Sequence, residues 1–205
     1  MLISLSESLA ALPAVQRVRL RGCPIGDEGS AAIVRAAARP GSCINALDLS
    51  RAGIGPRGAS AVAGYVSVCP SLRMLNLEEN PMGAGAAGAL AAAAFATEKL
   101  EVLGLAHTGL GDAGAKQLLA VFRPPAGGLG LPPDAAPVDA GGEAGIVGGM
   151  GGGVVALKLL DLSFNALGAA AAEQAAVAFT SPRCGLTELL LSGNPLGRQG
   201  TTRVL

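Results

Sequence analysis

The stretch from Leu72 to Leu90, LRMLNLEENPMGAGAAGAL, admits two readings that lead to different folds. Gly83, Gly85 and Gly88 have G-x-G-x-x-G spacing after an apolar run and before a run that can open a helix, with Glu101 further on, as at a dinucleotide site. Glycines there let a backbone approach a pyrophosphate at a helix N-terminus. Alternatively, Leu72, Leu75, Leu77, Asn80, Met82 and Gly83 are one copy of a repeated template, and the glycines belong to its turn.

The rest of the chain decides between them, because a repeat can imitate a motif. Six segments follow the same pattern: VQRVRLRGCPIGDEG from Val15, INALDLSRAGIGPRG from Ile44, LRMLNLEENPMGAGA from Leu72, LEVLGLAHTGLGDAG from Leu100, LKLLDLSFNALGAAA from Leu157 and LTELLLSGNPLGRQG from Leu186. The spacing from one start to the next is nearly constant, except that the step from Leu100 to Leu157 is close to two periods. Gly83 is therefore the turn glycine of unit three, well beyond Leu77 with Asn80 and Pro81 between, whereas a phosphate loop follows its strand almost at once. No G-x-x-x-x-G-K-[ST] occurs. No cofactor is expected.

The hydrophobic period changes inside each unit. Leu47 and Leu49, or Leu75 and Leu77, alternate as in a short strand with one buried face. Beyond the turn, Gly58, Val62 and Val66, or Gly114, Leu118 and Phe122, recur every fourth position as on one face of a helix. A unit of strand, turn and helix cannot bury its own apolar edge, so the units must stack, pairing their strands in parallel. At about 1.5 to 3 kcal/mol per fully buried Leu-sized side chain, the leucine columns outweigh ordering entropy only collectively. The expected fold class is α/β, a solenoid with a parallel sheet and a helical layer.

Position nine of the template is Cys23, Ala52, Asn80, Thr108, Asn165 and Asn194. A polar side chain recurring inside an apolar unit needs partners, and an amide, hydroxyl or thiol there can satisfy backbone groups left where the strand ends. Cys23, Asn80, Thr108, Asn165 and Asn194 are expected to form an inward-facing polar ladder, interrupted at Ala52.

These six phased copies resemble leucine-rich repeats of the ribonuclease-inhibitor-like subfamily, whose units have this length and alternate strand and helix. The resemblance covers about Val15 to Leu205 apart from one interruption. Cys69 and Cys184 sit where that subfamily often has cysteine. Ala86 and Ala171 depart from the pattern by replacing the helix-opening glycine. The resemblance implies a curved solenoid (horseshoe) with strands on the concave side and helices on the convex side.

Between units four and five, residues 124–155 hold five prolines and many glycines, which defeat both helix and strand ladders. A disordered insertion is expected within a single domain spanning residues 1–205; the alternative is a decayed repeat with Leu129 and Leu131 as its strand. The starting ESLAALPAVQ reads like the tail of a preceding helix, and RQGTTRVL stops midway through one, so a segment of a longer array is expected.

The bulk composition narrows the partner. Lys+Arg and Asp+Glu are both 15, giving no whole-protein field to draw nucleic acid or an anionic membrane. Only 2% of the chain is aromatic, so the core is built from Leu, Val and Ala and must be thin. The N-terminus lacks a basic start, and the uncharged runs are short and glycine-rich, so neither a signal peptide nor a membrane span is expected. Cys23, Cys43, Cys69 and Cys184 lack C-x-x-C spacing, and His107 is the one histidine. No metal or redox pair is therefore expected; free thiols in a reducing, cytoplasmic compartment are.

Residues flanking the paired leucines point outward from the sheet. Arg17, Arg19, Arg21, Asp48, Arg51, Asn76, Glu78, Glu79, His107, Asp161 and Phe164 are the candidate partner-binding residues. They grade from basic through acidic to more apolar, which suits a protein or peptide ligand of mixed chemistry rather than a uniform polyanion or a small-molecule substrate. Glu78 and Glu79 near Asp48 invite a paired-carboxylate reading, but an open sheet supplies no pocket to shift their titration. His107 has no nucleophile or carboxylate assignable by spacing. The expectation is a non-catalytic interaction module, part of a scaffold or receptor. The alternative is a regulator of an enzyme, either a Ran-type GTPase activator, with Arg51 or Arg57 as candidate donors, or a ribonuclease inhibitor.

Overall fold

The computed structural model describes residues 14–39, 41–69, 71–97, 99–122, 155–182 and 184–197. Six short strands form one parallel sheet in sequence order: β1 Arg17–Arg19, β2 Ala46–Asp48, β3 Met74–Asn76, β4 Val102–Gly104, β5 Leu159–Asp161 and β6 Glu188–Leu190. The register superposes the template: Val18, Leu47, Leu75, Leu103, Leu160 and Leu189 lie side by side across the sheet. Leu47, Leu75, Leu103 and Leu160 are buried in one interior row, as the repeat requires.

Each of the first five strands leads through a turn to a helix: α1 Gly26–Ala37, α2 Pro56–Val68, α3 Ala87–Ala96, α4 Gly111–Leu119 and α5 Ala169–Phe179. A 3-10 turn, Ala84–Ala86, precedes α3, and another, Ala120–Phe122, follows α4. Consecutive helices pack on one another, and their buried faces share one core with the strand leucines. Val62 and Val66 on α2, with Gly58 at its start, face that core, as do Gly114 and Leu118 on α4 and Phe122 just beyond it. Alanines at 59, 63, 115, 171, 172 and 175 keep the helix layer close to the sheet.

β4 pairs directly with β5, so units four and five are neighbours in the stack although their starts lie about two periods apart in the chain. Residues 124–154 of the expected insertion lie outside the described residues, and Val155, placed at its end, is buried in the core. Both chain ends on which a longer array was inferred also lie largely outside them.

Gly83 answers the opening question in space. It has φ 60°, a left-handed conformation that glycine adopts without penalty. Its N–H donates to the Thr108 carbonyl of the next unit at 2.9 Å. The motif is a turn of the repeat.

Candidate functional site

The strands leave positions three, five, seven and eight of each unit on the outer sheet surface. Arg17, Arg19 and Arg21 project there, exposed, from unit one. Arg51, Glu79, His107 and Phe164 are exposed as well. Asp48, Asn76, Glu78 and Asp161 are half-buried, and three of them are occupied locally. Asp48 Oδ1 accepts from Ser50 N at 3.1 Å and Ser50 Oγ at 2.7 Å. Asn76 Oδ1 accepts from Glu78 N at 2.9 Å, and Asp161 Oδ1 from Ser163 N at 2.8 Å. These three side chains hold the strand exits in shape as well as lining the face.

The side chains at position eight were expected on this face from the sequence, but their backbone conformation was not, and it is the most distinctive backbone feature of the face. Gly22, Arg51, Glu79, His107, Phe164 and Gly193 all have positive φ, between 54° and 72°. The cause is the hydrogen-bond ladder, which continues past the strands: Arg51 N donates to Glu78 O, Glu79 N to Ala106 O, His107 N to Ser163 O and Phe164 N to Ser192 O, at 2.8 to 3.0 Å. Turning that N–H toward the next unit puts the residue in the left-handed region, at about 1 to 2 kcal/mol for a non-glycine side chain. Gly22 and Gly193 meet the same demand without that cost, and their alignment is the sequence signal that marks the position.

The four side chains of this row interact in pairs. Arg51 Nε lies 3.2 Å from Glu79 Oε2, with Arg21 Nη2 at 3.9 Å from Glu79 Oε1. His107 and Phe164 stack with ring centroids 4.4 Å apart and planes 9° from parallel. The Phe164 ring also lies over Gly193, where any Cβ would overlap it. Arg51, a candidate donor in the regulator reading, is thus tied to Glu79, while Arg57 is exposed at the start of α2. On the other edge of the strands, Arg73, Glu101 and Lys158 form an exposed ion-pair row through units three to five, at 2.7 and 3.7 Å.

Beneath the face, position nine serves the unit before it. Asn80 Oδ1 accepts from Ala52 N and Ile54 N, both at 3.0 Å, and its Nδ2 donates to Leu49 O and Leu77 O. Asn165 and Asn194 repeat this in units five and six: Asn165 Oδ1 takes Thr108 N and Leu110 N, and Asn194 Oδ1 takes Asn165 N and Leu167 N. Thr108 is too short for the bridge and turns its hydroxyl to Leu105 O at 2.7 Å. Cys23 departs from the expected inward ladder: it is exposed, and its own N–H donates to Leu20 O at 3.0 Å. Where the next unit lacks asparagine, the position-eleven N–H folds back onto position nine, as in Ile25 to Cys23 O at 2.7 Å and Met82 to Asn80 O at 2.8 Å.

A second bridging device was not foreseen. Asp27 of unit one accepts from Gly55 N at 2.6 Å and Gly58 N at 2.9 Å, capping α2 from the neighbouring unit; Asp112 accepts from Gly168 N at 2.7 Å at the start of α5. An acceptor at a helix N-terminus satisfies donors the helix cannot. The signal was the Asp in GDEG and GDAG, followed by units without one in GPRG and GAAA.

All four cysteines are free. Cys69 Sγ lies 3.3 Å from Tyr65 Oη and 3.5 Å from Ser71 Oγ. Burial pushes the thiol up, but the hydrogen bonds with Tyr65, with Ser71 and with the backbone of Ser71 and Leu72 outweigh it and hold Cys69 below its ordinary value. Burial, with the Cys69 contact, pushes the Tyr65 phenol well up. Among the described residues no three His, Cys, Asp or Glu side chains are grouped to hold a metal, and no helix is long and apolar enough to cross a membrane.

Comparison with known proteins agrees with this architecture. A family model described as Leucine Rich repeat matches residues 13–34 and 42–63, the first two units. The fold is that of an α/β leucine-rich-repeat solenoid. Leucine-rich repeat-containing protein 73 of Rattus norvegicus and of Homo sapiens is similar, 39% identical over 118 residues. The match takes in 56% of this chain and 37% of each relative, so the chain spans well under half the length of these curated relatives. Among solved structures, the Leiomodin-1 Actin-Binding Site 2 (ABS2) matches with TM-score 0.52 at 15% identity, over 58% of this chain and 70% of that one. The tropomodulin C-terminal domain of Caenorhabditis elegans matches with TM-score 0.50 at 18% identity, over 57% and 75%. At such identities the likeness is one of fold.

Proposed function

We propose that this solenoid is a non-catalytic interaction module that holds a protein or peptide partner against the outer, concave surface of its strands, as part of a scaffold or receptor. The observation that carries the reading is the position-eight row. Glycine satisfies the backbone there in units one and six, so the fold does not demand Arg51, Glu79, His107 and Phe164. Large exposed side chains kept in a left-handed conformation, with Phe164 50% exposed, mark a surface selected for what it touches. The face mixes charge of both signs with apolar patches, as protein interfaces do. One neighbour of this fold is named for binding actin, a precedent for a protein on such a scaffold; actin itself is not carried over.

The length of the repeat period and the strand–helix alternation support placing the repeats in the ribonuclease-inhibitor-like subfamily. Four free thiols support a reducing compartment such as the cytoplasm. The test is affinity capture with Arg19→Glu, Asp48→Lys and Glu78→Lys variants, beside Lys116→Glu on the helix layer. Loss of the same bound protein in the strand-face variants but not in Lys116→Glu is expected. Equal binding by all four overturns the reading.

A further inference from the structure

Unit one presents Arg17, Arg19 and Arg21 on alternate positions of one strand and its exit, all exposed. Alternate residues of a strand are about 6.6 Å apart, so the three side chains leave the backbone at that spacing from β1 and its exit. No carboxylate among the described residues lies within 4.0 Å of Arg17 or Arg19, and Arg21 reaches only Glu79, at 3.9 Å. The same positions of the adjacent strand hold Ala46, Asp48 and Ser50, and Asp48 has turned an oxygen onto Ser50. Arg17 and Arg19 thus lack an ion-pair partner within 4.0 Å among the described residues and Arg21 has only a long one, so three like charges on one strand and its exit favour an anionic occupant.

We propose, resting on the docking reading above, that this stripe receives an extended acidic segment of a partner protein, with Asp or Glu at alternate residues. The repeat of the ligand decides the class. An extended chain places alternate side chains on one face at the same spacing as β1, so acids and arginines stay matched along the contact. A helix matches less well, because its i, i+4 rows incline about 26° to its axis and leave the line. A nucleic acid strand is a continuous polyanion, and it would lie against the next strands. Asp48 is paired in register with Arg19, and Glu78 and Glu79 follow one unit on, all within about one Debye length, roughly 8 to 10 Å. A short run of acids flanked by neutral residues satisfies the stripe and avoids that repulsion.

The probe is a fluorescein-labelled dodecapeptide with Glu-Thr-Glu-Thr-Glu between Gly-Ser flanks, titrated against the full chain by fluorescence anisotropy at low salt. Controls carry the three glutamates contiguously, carry glutamine instead, or are an oligothymidylate of equal length. Exposed ion pairs are each worth a few-fold in affinity, so the combined Arg17→Gln, Arg19→Gln, Arg21→Gln variant is expected to bind the alternating peptide about tenfold more weakly. The contiguous peptide is expected to bind a few-fold more weakly than the alternating one, the glutamine peptide is not expected to bind, and added salt should weaken binding steeply. Circular dichroism confirms that the variant is folded.

Equal binding by the contiguous and alternating peptides, or an unaffected triple variant, overturns the proposal. Tighter arginine-dependent binding of the oligothymidylate assigns the stripe to nucleic acid and also overturns it. If the triple variant still captures the partner that Glu78→Lys loses, the stripe fails while docking on the strand face stands. If neither variant affects capture, the docking reading fails with it.

Discussion

Replacing Asn165 with alanine tests the claim that the units are joined by side-chain amides. Asn165 is 1% exposed and makes bonds in both directions. Its Oδ1 accepts from Thr108 N at 3.0 Å and Leu110 N at 3.2 Å, and its Nδ2 donates to Leu105 O at 2.7 Å and Ser163 O at 3.2 Å. The carbonyls are partly insured, because Leu105 O also accepts from Thr108 Oγ1 and Ser163 O from His107 N. The two amide N–H groups are not. Leu110 N can fold back onto Thr108 O, as the equivalent N–H does at Ile25, Met82 and Leu196, which leaves Thr108 N orphaned in a buried site. An unsatisfied buried donor costs about 1 to 3 kcal/mol, and a rebuilt turn with a lost side chain adds about 1 kcal/mol more, for an expected loss of about 3 kcal/mol. Urea unfolding followed by circular dichroism should show a midpoint lower by about 1 to 2 M at an unchanged slope. Asn194→Ala is the control: that side chain is only half-buried and water can replace it, so about 1 kcal/mol is expected. If Asn165→Ala costs no more than Asn194→Ala, the amide ladder does not hold the stack together as argued.

Three further outcomes follow from the same geometry. Gly58→Ala places a Cβ 2.6 Å from Asp27 Oδ1 and Ser30 Oγ and 2.8 Å from Ile54 Cγ2, and is expected to destabilise by about 1 to 3 kcal/mol, whereas Gly64→Ala in the same helix meets open space and should stabilise by about 0.5 to 1 kcal/mol; thermal melts of the pair give opposite signs. Thr108→Asn supplies unit three with the amide it lacks and should raise the urea midpoint by the equivalent of about 1 kcal/mol. Cys69 titrates below its ordinary value of 9.0 in the fold, so its contribution is fully present above pH 9.0 and is lost as pH falls through the folded value. Tyr65→Phe removes the leading hydrogen bond behind that shift and should flatten the rise in stability as pH climbs towards 9.0, read from unfolding midpoints against thiolate ultraviolet absorbance.

The architecture was legible because the strongest signals were periodic. The L-x-L pairs recur once per unit, and a strand with one buried face has one register that buries all of them, so Leu47, Leu75, Leu103 and Leu160 had nowhere else to stand. Features that depend on what the neighbouring unit offers were not legible. Asp27 and Asp112 read as ordinary acids in the first turn of their own helices, and only the stack shows that they cap the next ones. Gly55 and Gly168 look like the other turn glycines, yet they take extended conformations because an aspartate from the preceding unit receives their N–H, while Gly26, Gly83 and Gly111 stay left-handed and donate to the next unit's position-nine carbonyl. On the face, the outward residues were read from strand alternation, but the left-handed row was hidden because Arg51, Glu79, His107 and Phe164 disfavour that conformation. Local preference pointed one way, and the inter-unit ladder overrode it.

The joints between units are consequently unequal. Asp27 spans the first, Asn80 the second, Asn165 and Asp112 together the fourth, and Asn194 the fifth. At the third, between β3 and β4, the side-chain hydrogen bond among the described residues is the exposed Arg73–Glu101 pair, and exposed ion pairs are worth at most about 1 kcal/mol. In a stack held by nearest-neighbour terms, the least-coupled joint is where local opening starts. That joint divides the arginine stripe of unit one from the stacked rings of His107 and Phe164. A partner long enough to touch both would bind only the closed arrangement, so its binding energy would act directly on the joint that the chain's own side chains leave weakest.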